Sequence, residues 1–207
     1  MDYRQRRRTP ARRRSKPQAP KSASREALEW IVCILVAVAL ALTFNTFVAQ
    51  IIIVDGTSME PTLMNWERML VTRFTYRLRM PERGEIVILH YPDPADRDNY
   101  VKRVVGLPGD TVEIRGGTLY VNGDAIDEPY IAARMERDLA PVVVPQGTVY
   151  VLGDNRNDSH DSRYSDVGPV SADLLLGEVH AVIWPLRGIR TMADYTDQFA
   201  RVGAATG

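Results

Sequence analysis

From Trp30 to Ala49 the chain is apolar for about twenty residues, broken only by Thr43, Asn45 and Thr46. Twenty residues at about 1.5 Å each reach roughly 30 Å, the thickness of the hydrocarbon core of a bilayer. No polar stripe runs along the stretch, which argues against a buried helix of a soluble protein. A cleavable signal peptide would need a shorter apolar run and small residues at its −3 and −1 positions, whereas Phe47-Val48-Ala49 puts a bulky Phe at −3. The stretch predicts a single N-terminal transmembrane helix over residues 27–50.

Charge divides at this stretch. Residues 1–25 carry ten Arg or Lys against Asp2 alone, whereas residues 51–207 carry sixteen basic and twenty-three acidic side chains. Positive charge just ahead of the span predicts a cytoplasmic N-terminus, which sets residue 51 onward outside the cytoplasm on a single-pass protein of the plasma membrane. Residues 1–26 hold too little apolar surface to offset ordering and read as a disordered basic tail. Lipid beside the span gives that charge a use, and nucleic acid is not an expected partner. The one cysteine, Cys33, lies in the apolar stretch, so no intrachain disulfide can form. Cys33 with His90, His160 and His180 offers no metal-ligand spacing, and neither a metal nor another cofactor is expected.

After residue 50 short runs rich in Val, Ile and Tyr alternate with Gly and Pro, the pattern of strands and turns. Strands are expected at 51–54, 69–72, 85–90, 100–106, 111–115, 118–121, 142–144, 148–152 and 178–184, with Gly116-Gly117 as a two-residue hairpin loop. Ser171-Ala172-Asp173-Leu174-Leu175 reads as one capped helical turn. The fold class is mainly β: an antiparallel β-sheet ectodomain over 51–190 behind the membrane helix. Residues 191–207 read as a peripheral C-terminal tail.

Three stretches could carry chemistry. In Gly56-Thr57-Ser58-Met59-Glu60-Pro61 the serine sits in a turn at a strand end, where a sheet can hold the backbone and leave the side chain open. A hydroxyl becomes a useful nucleophile only with a base to take its proton and donors for the oxyanion. In Tyr100–Asp110, period two sets Lys102 and Arg103 on opposite faces of a strand. A lysine facing an apolar site loses basicity by desolvation and can accept a proton from a serine without any histidine. The third stretch, Gly153-Asp154-Asn155-Arg156-Asn157-Asp158-Ser159-His160-Asp161-Ser162-Arg163, fails as a calcium loop, because Arg156 takes a ligand position and Ser165 stands where a bidentate Glu is wanted. It suits a surface loop or a hydrogen-bonded frame that could hold Lys102 or Arg103.

Val54–Leu63, Arg83–Ile88, Tyr100–Asp110 and Gly153–Arg163, in this order behind a membrane anchor, resemble bacterial type I signal peptidases over about residues 28–186. The resemblance implies Ser58 as nucleophile, Lys102 as general base and Ser159 as the hydroxyl that orients the lysine amine. It implies a structural polar frame of Arg103, Asp154, Asp161 and Arg163, and substrate pockets walled by Ile52, Val54, Met59, Leu63 and Val101. Some members carry a serine two places before the nucleophile as an oxyanion donor; here Gly56 stands there, leaving the Ser58 N–H and a further backbone N–H or water for that role. The implied activity is removal of signal peptides from exported preproteins after a small-x-small site, at the lipid bilayer, with room for a transient contact with the export translocon. Rival readings are a self-cleaving repressor-type serine–lysine peptidase, a hydrolase using His160 or His90, and a non-catalytic membrane-anchored scaffold that binds export partners.

Overall fold

The structure is a computed structural model that describes residues 23–47, 49–92, 98–192, 195–200 and 202. Most of the expected basic tail, residues 1–22, lies outside the described residues. The chain divides into two compact units, Met1–Ala41 and Leu42–Gly207. Helix α1 (Ala23–Phe47) begins four residues earlier than the expected span. Its side chains are described from 24 to 40, so residues 41–49 of the expected span lie outside the described side chains; the helix ends at Phe47, and Ala49 and Gln50, expected in the span, open the first strand instead. Among the described residues no helix is long and apolar enough to cross a membrane. Within the described part Leu28, Trp30, Ile31, Val32, Ile34, Leu35, Val36, Val38 and Leu40 are all exposed.

The second unit is built of β1 (Ala49–Ile53), β2 (Arg68–Thr72), β3 (Ile86–His90), β4 (Asn99–Gly106), β5 (Thr111–Arg115), β6 (Thr118–Val121), β7 (Asp124–Ala125), β8 (Leu139–Val143), β9 (Thr148–Leu152), β10 (Val170–Ser171), β11 (Leu175–Trp184) and β12 (Arg190–Thr191). Two one-turn helices, α2 (Thr75–Leu78) and α3 (Thr196–Phe199), accompany them. The larger sheet has the order β1-β2-β11-β3-β4-β9-β10 with β12 beside β11, and the smaller has the order β7-β6-β5-β8. Every recorded pairing is antiparallel. The fold is thus mainly β and antiparallel, as expected from the alternating pattern.

Burial follows the sequence period. In β2, Met69 and Val71 turn inward while Arg68 points to solvent. Strand β3 is covered on both faces and reads as an unbroken apolar run. Its Ile86 and Ile88 join a core with Val54, Met59, Leu63, Met69, Val71, Val179 and Val182. Its Val87 and Leu89 join a second core with Val104, Val149, Val151, Val170 and Leu175. A third core lies on the smaller sheet and includes Val105, Val112, Ile114, Leu119 and Leu152. Gly116 and Gly117, at φ +58 and +75, make the tight link between β5 and β6 that only residues without a Cβ accept cheaply.

Three expectations change. Ser171 caps a 3-10 turn at Ala172–Leu174, and strand β11 starts at once at Leu175, three residues ahead of the expected strand. Strand β8 likewise starts at Leu139 instead of 142. The tail 191–207 is not wholly peripheral, because Phe199 and Val202 are buried in the third core. They stand three apart among small and polar residues, too short a pattern to mark a core element.

Candidate active site

Ser58 is carried by the turn that follows β1. That turn is fastened from below by Val54, Met59 and Leu63, all buried, and at its base by Val54 N–H to the Glu67 carbonyl, 2.8 Å, and Trp66 N–H to the Val54 carbonyl, 2.9 Å. Further along, Arg190 donates to the Thr62 carbonyl at 2.7 Å while paired with Glu67. The apolar residues thus fix the turn while Ser58 itself stays half-buried at its crest.

Lys102 comes from β4, whose register is set by pairing with β3 on one side and β9 on the other. Its Nζ stands 2.8 Å from Ser58 Oγ, and the side chain is only 3% exposed. Burial pushes the Lys102 amine down to about 8 from its ordinary 10.5; the Asp161 and Asp154 carboxylates pull upward, and the Arg163 guanidinium adds to the depression. A hydroxyl against an amine of lowered basicity can transfer its proton as it attacks an electrophile.

Neighbouring Arg103 goes elsewhere. It makes a fully buried two-pronged pair with Asp154, 2.9 and 2.6 Å, and donates to the Gly84 carbonyl at 2.7 Å. Its guanidinium lies 4.0 Å from the Tyr130 ring centroid and 5.1 Å from that of Tyr195. Asp154 also accepts from Thr62 Oγ1, which ties the frame to the serine-bearing turn. Asp161 accepts from Arg163 Nε and Nη2, both at 2.8 Å, and from the Gly153 N–H at 3.0 Å. Arg103 with Asp154 and Arg163 with Asp161 are thus two separate ion pairs, in which every charge has a partner.

Ser159 is 6% exposed, and its Oγ has no hydrogen-bond partner among the described residues. It packs against Gly153, where an added Cβ would fall 2.2 Å from Ser159 Oγ and 2.4 Å from the Ser58 carbonyl oxygen. Gly56 has φ +109, a conformation that favours glycine, and nothing lies within 4 Å of where its Cβ would be.

A cleft of about 530 Å³ opens over the serine and the lysine. Of the expected pocket walls Ile52, Val54, Met59 and Val101 line it; Leu63 does not, being fully buried in the core beneath the turn. Thr57, Asp158 and His160 line it as well. His160 Nε2 is engaged by Tyr91 Oη at 3.0 Å and Asp166 Oδ2 at 2.8 Å, and no hydrogen bond joins it or the exposed His90 to Ser58 among the described residues. Among the described residues no three His, Cys, Asp or Glu side chains are grouped to hold a metal ion.

Several residues of the site carried no sequence signal of their own. Asn155 and Asp158 reach Thr57 and Ser58 from about a hundred residues away, and Arg156 is buried against Glu128, 28 residues distant. Only the density of polar residues in 153–163 hinted at them.

Residues 27–184 match the family model described as "Signal peptidase, peptidase S26". A probable signal peptidase I-2 of Synechocystis is 42% identical over 168 residues, which is 79% of this chain and 76% of that protein. Signal peptidase I S of Bacillus subtilis is 39% identical over 180 residues, covering 82% and 95%. This chain belongs to the signal peptidase S26 family. A crystal structure of a signal peptidase I from Enterococcus faecalis is 35% identical, covers 48% of this chain and 97% of that one, and superposes with a TM-score of 0.42. Within the S26 family the chain is a peptidase.

Proposed function

We propose that the protein is a membrane-anchored serine endopeptidase that removes N-terminal signal peptides from exported preproteins after a small-x-small site, with Ser58 as nucleophile and Lys102 as general base. The observation that carries this reading is the 2.8 Å approach of a buried amine of lowered basicity to the Ser58 hydroxyl, at the floor of a cleft. The neutral amine takes the hydroxyl proton as Oγ bonds to the scissile carbonyl carbon. The oxyanion is met by the Ser58 N–H. Collapse expels the new N-terminal amine, which receives the proton from Lys102, and leaves an acyl-enzyme. Water, deprotonated by the same amine, then cleaves the ester and restores Ser58. The family resemblance gives Ser159 the task of orienting the amine; its Oγ makes no hydrogen bond to Lys102 in the fold, so that task requires the hydroxyl to turn towards Nζ during the reaction.

The anchor is the apolar helix. Its described residues from Trp30 to Leu40 present apolar side chains to the open on all sides, and nine positive charges precede it in the sequence, with Arg25 in its first turn. Ser58 follows Ala49, where the apolar stretch ends in the sequence, by nine residues, so at about 3.3–3.6 Å per residue it stays within roughly 30 Å of that point. Strand β1, which lies between, leaves Ile51 and Ile53 exposed, and Arg68 joins Ile53 to the exposed Trp184 across β2 in the sheet register. A peptide whose apolar segment still rests in lipid would be presented at such a place, and β1 at the sheet edge and residues 99–102 of β4, which β9 does not cover, could pair with it as an added strand.

Processing of one defined preprotein in membranes by Ser58→Ala, Lys102→Ala and Ser159→Ala tests the reading. The first two are expected to abolish cleavage, and the third to slow it. Full activity in either Ser58→Ala or Lys102→Ala would refute the assignment.

A further inference from the structure

The peptide unit between Thr57 and Ser58 is gripped from one side. The Thr57 carbonyl accepts the Glu60 N–H at 3.0 Å and the Asn155 side-chain amide at 3.2 Å. The next carbonyl, that of Ser58, accepts the backbone N–H of the same Asn155 at 3.0 Å. Thr57 Oγ1 is held as well, by Asp158 Oδ2 at 3.0 Å. Gly153 allows the approach, since any side chain there would strike the Ser58 carbonyl.

A trans peptide is planar, so the Ser58 N–H points opposite to the Thr57 C=O. By drawing that carbonyl towards the polar loop, the Asn155 amide turns the N–H away from it, and no described residue accepts that hydrogen. Gly56 contributes no hydroxyl, so an oxyanion at Ser58 depends on this backbone donor more than it would if a serine stood at 56. An exposed turn can rotate a peptide plane at little cost unless its carbonyls are pinned, and here one residue pins two in succession.

Resting on the reading of Ser58 as nucleophile, we infer that Asn155 is a positioning residue whose side-chain amide aims the Ser58 N–H at the oxyanion of the tetrahedral intermediate. It touches neither substrate nor the reacting atoms, and works through the Thr57 carbonyl. The backbone bond from Asn155 to the Ser58 carbonyl survives any substitution other than proline, so the side chain can be tested without releasing the loop.

The test uses the full chain in detergent with Asn155→Ala and Asn155→Gln. Three quantities are measured: kcat and KM for a signal-peptide substrate, the inhibition constant of a peptide aldehyde, and that of the matching product peptide. The aldehyde adds to Ser58 Oγ and places an oxyanion where the intermediate has one; the product peptide does not. Asn155→Ala is expected to lower kcat roughly 10–100-fold, a part of what loss of a whole oxyanion donor costs, with KM within about twofold. Aldehyde affinity should fall by the same factor as kcat/KM, product-peptide affinity should hold, and the acid limb of the pH profile should stay in place. Asn155→Gln, which retains an amide donor, should recover part of the rate. Equal weakening of aldehyde and product peptide, a displaced acid limb, or an unchanged kcat would each overturn the inference. Full activity in Ser58→Ala would instead overturn the nucleophile reading beneath it, so the two failures are distinguishable.

Discussion

Lys102 gives the sharpest test, because one physical cause, its removal from water, has two separately measurable consequences. In the unfolded chain the amine titrates near 10.5, and in the fold burial lowers it to about 8. Between those values the unfolded chain binds more protons, so stability rises with pH from about 8 to 10.5, and below 8 the full penalty of holding an ammonium in a dry site is present. At 1.36 kcal/mol for each tenfold change in proton affinity, that penalty is ~3 kcal/mol. Lys102→Met keeps the apolar stem without the charge and should be more stable than the native protein by up to ~3 kcal/mol at pH 6.5, with the advantage shrinking as pH rises through the window. Urea melts of both proteins at pH 6.5, 8 and 9.5 read this directly. The same amine must be neutral to accept the Ser58 proton, so kcat/KM should fall about tenfold per pH unit below 8 and about a hundredfold by pH 6. A rate flat from pH 6 to 9, or a Lys102→Met advantage that does not depend on pH, would refute the argument that a desolvated lysine is the base.

Other perturbations probe the frame around that pair. Asp154→Ala leaves the Arg103 guanidinium unpaired in a site with no exposure and should cost about 3–5 kcal/mol, seen as a fall in Tm of roughly 10 °C; a change under 2 °C would mean the pair is dispensable. Gly153→Ala drives a Cβ to within 2.4 Å of the Ser58 carbonyl and should cut kcat by about a hundredfold while the far-UV spectrum stays native; retained activity would show that the loop can retreat. Gly56→Ser forces a side chain onto φ +109 and should destabilise by ~1–3 kcal/mol without raising turnover, whereas a tenfold gain in kcat would show the native oxyanion site to be short of a donor.

Much of the fold was legible because strands announce themselves locally. Alternation in Arg68–Thr72 and the unbroken run in Ile86–His90 state which strand is half-covered and which is buried on both faces. Gly116-Gly117 names its own turn. The resemblance singled out Ser58 and Lys102, and the fold brings their side chains to 2.8 Å. Isolated contacts were not legible: Leu63 as core instead of pocket wall, Phe199 and Val202 as core instead of tail, and Asn155 as the residue that holds the serine turn.

The sequence by itself determined most of the longer strands, the charge division and the residue types available for chemistry, since each depends on neighbours within a few positions along the chain. What the tertiary structure alone decided is the dryness of Lys102 and the direction in which the Ser58 peptide faces. Both depend on groups brought from far along the chain: β4 set against the turn after β1, and the loop after β9 closed over it. Desolvation and peptide orientation are properties of what surrounds a residue in space, and a list of residues in order does not contain them.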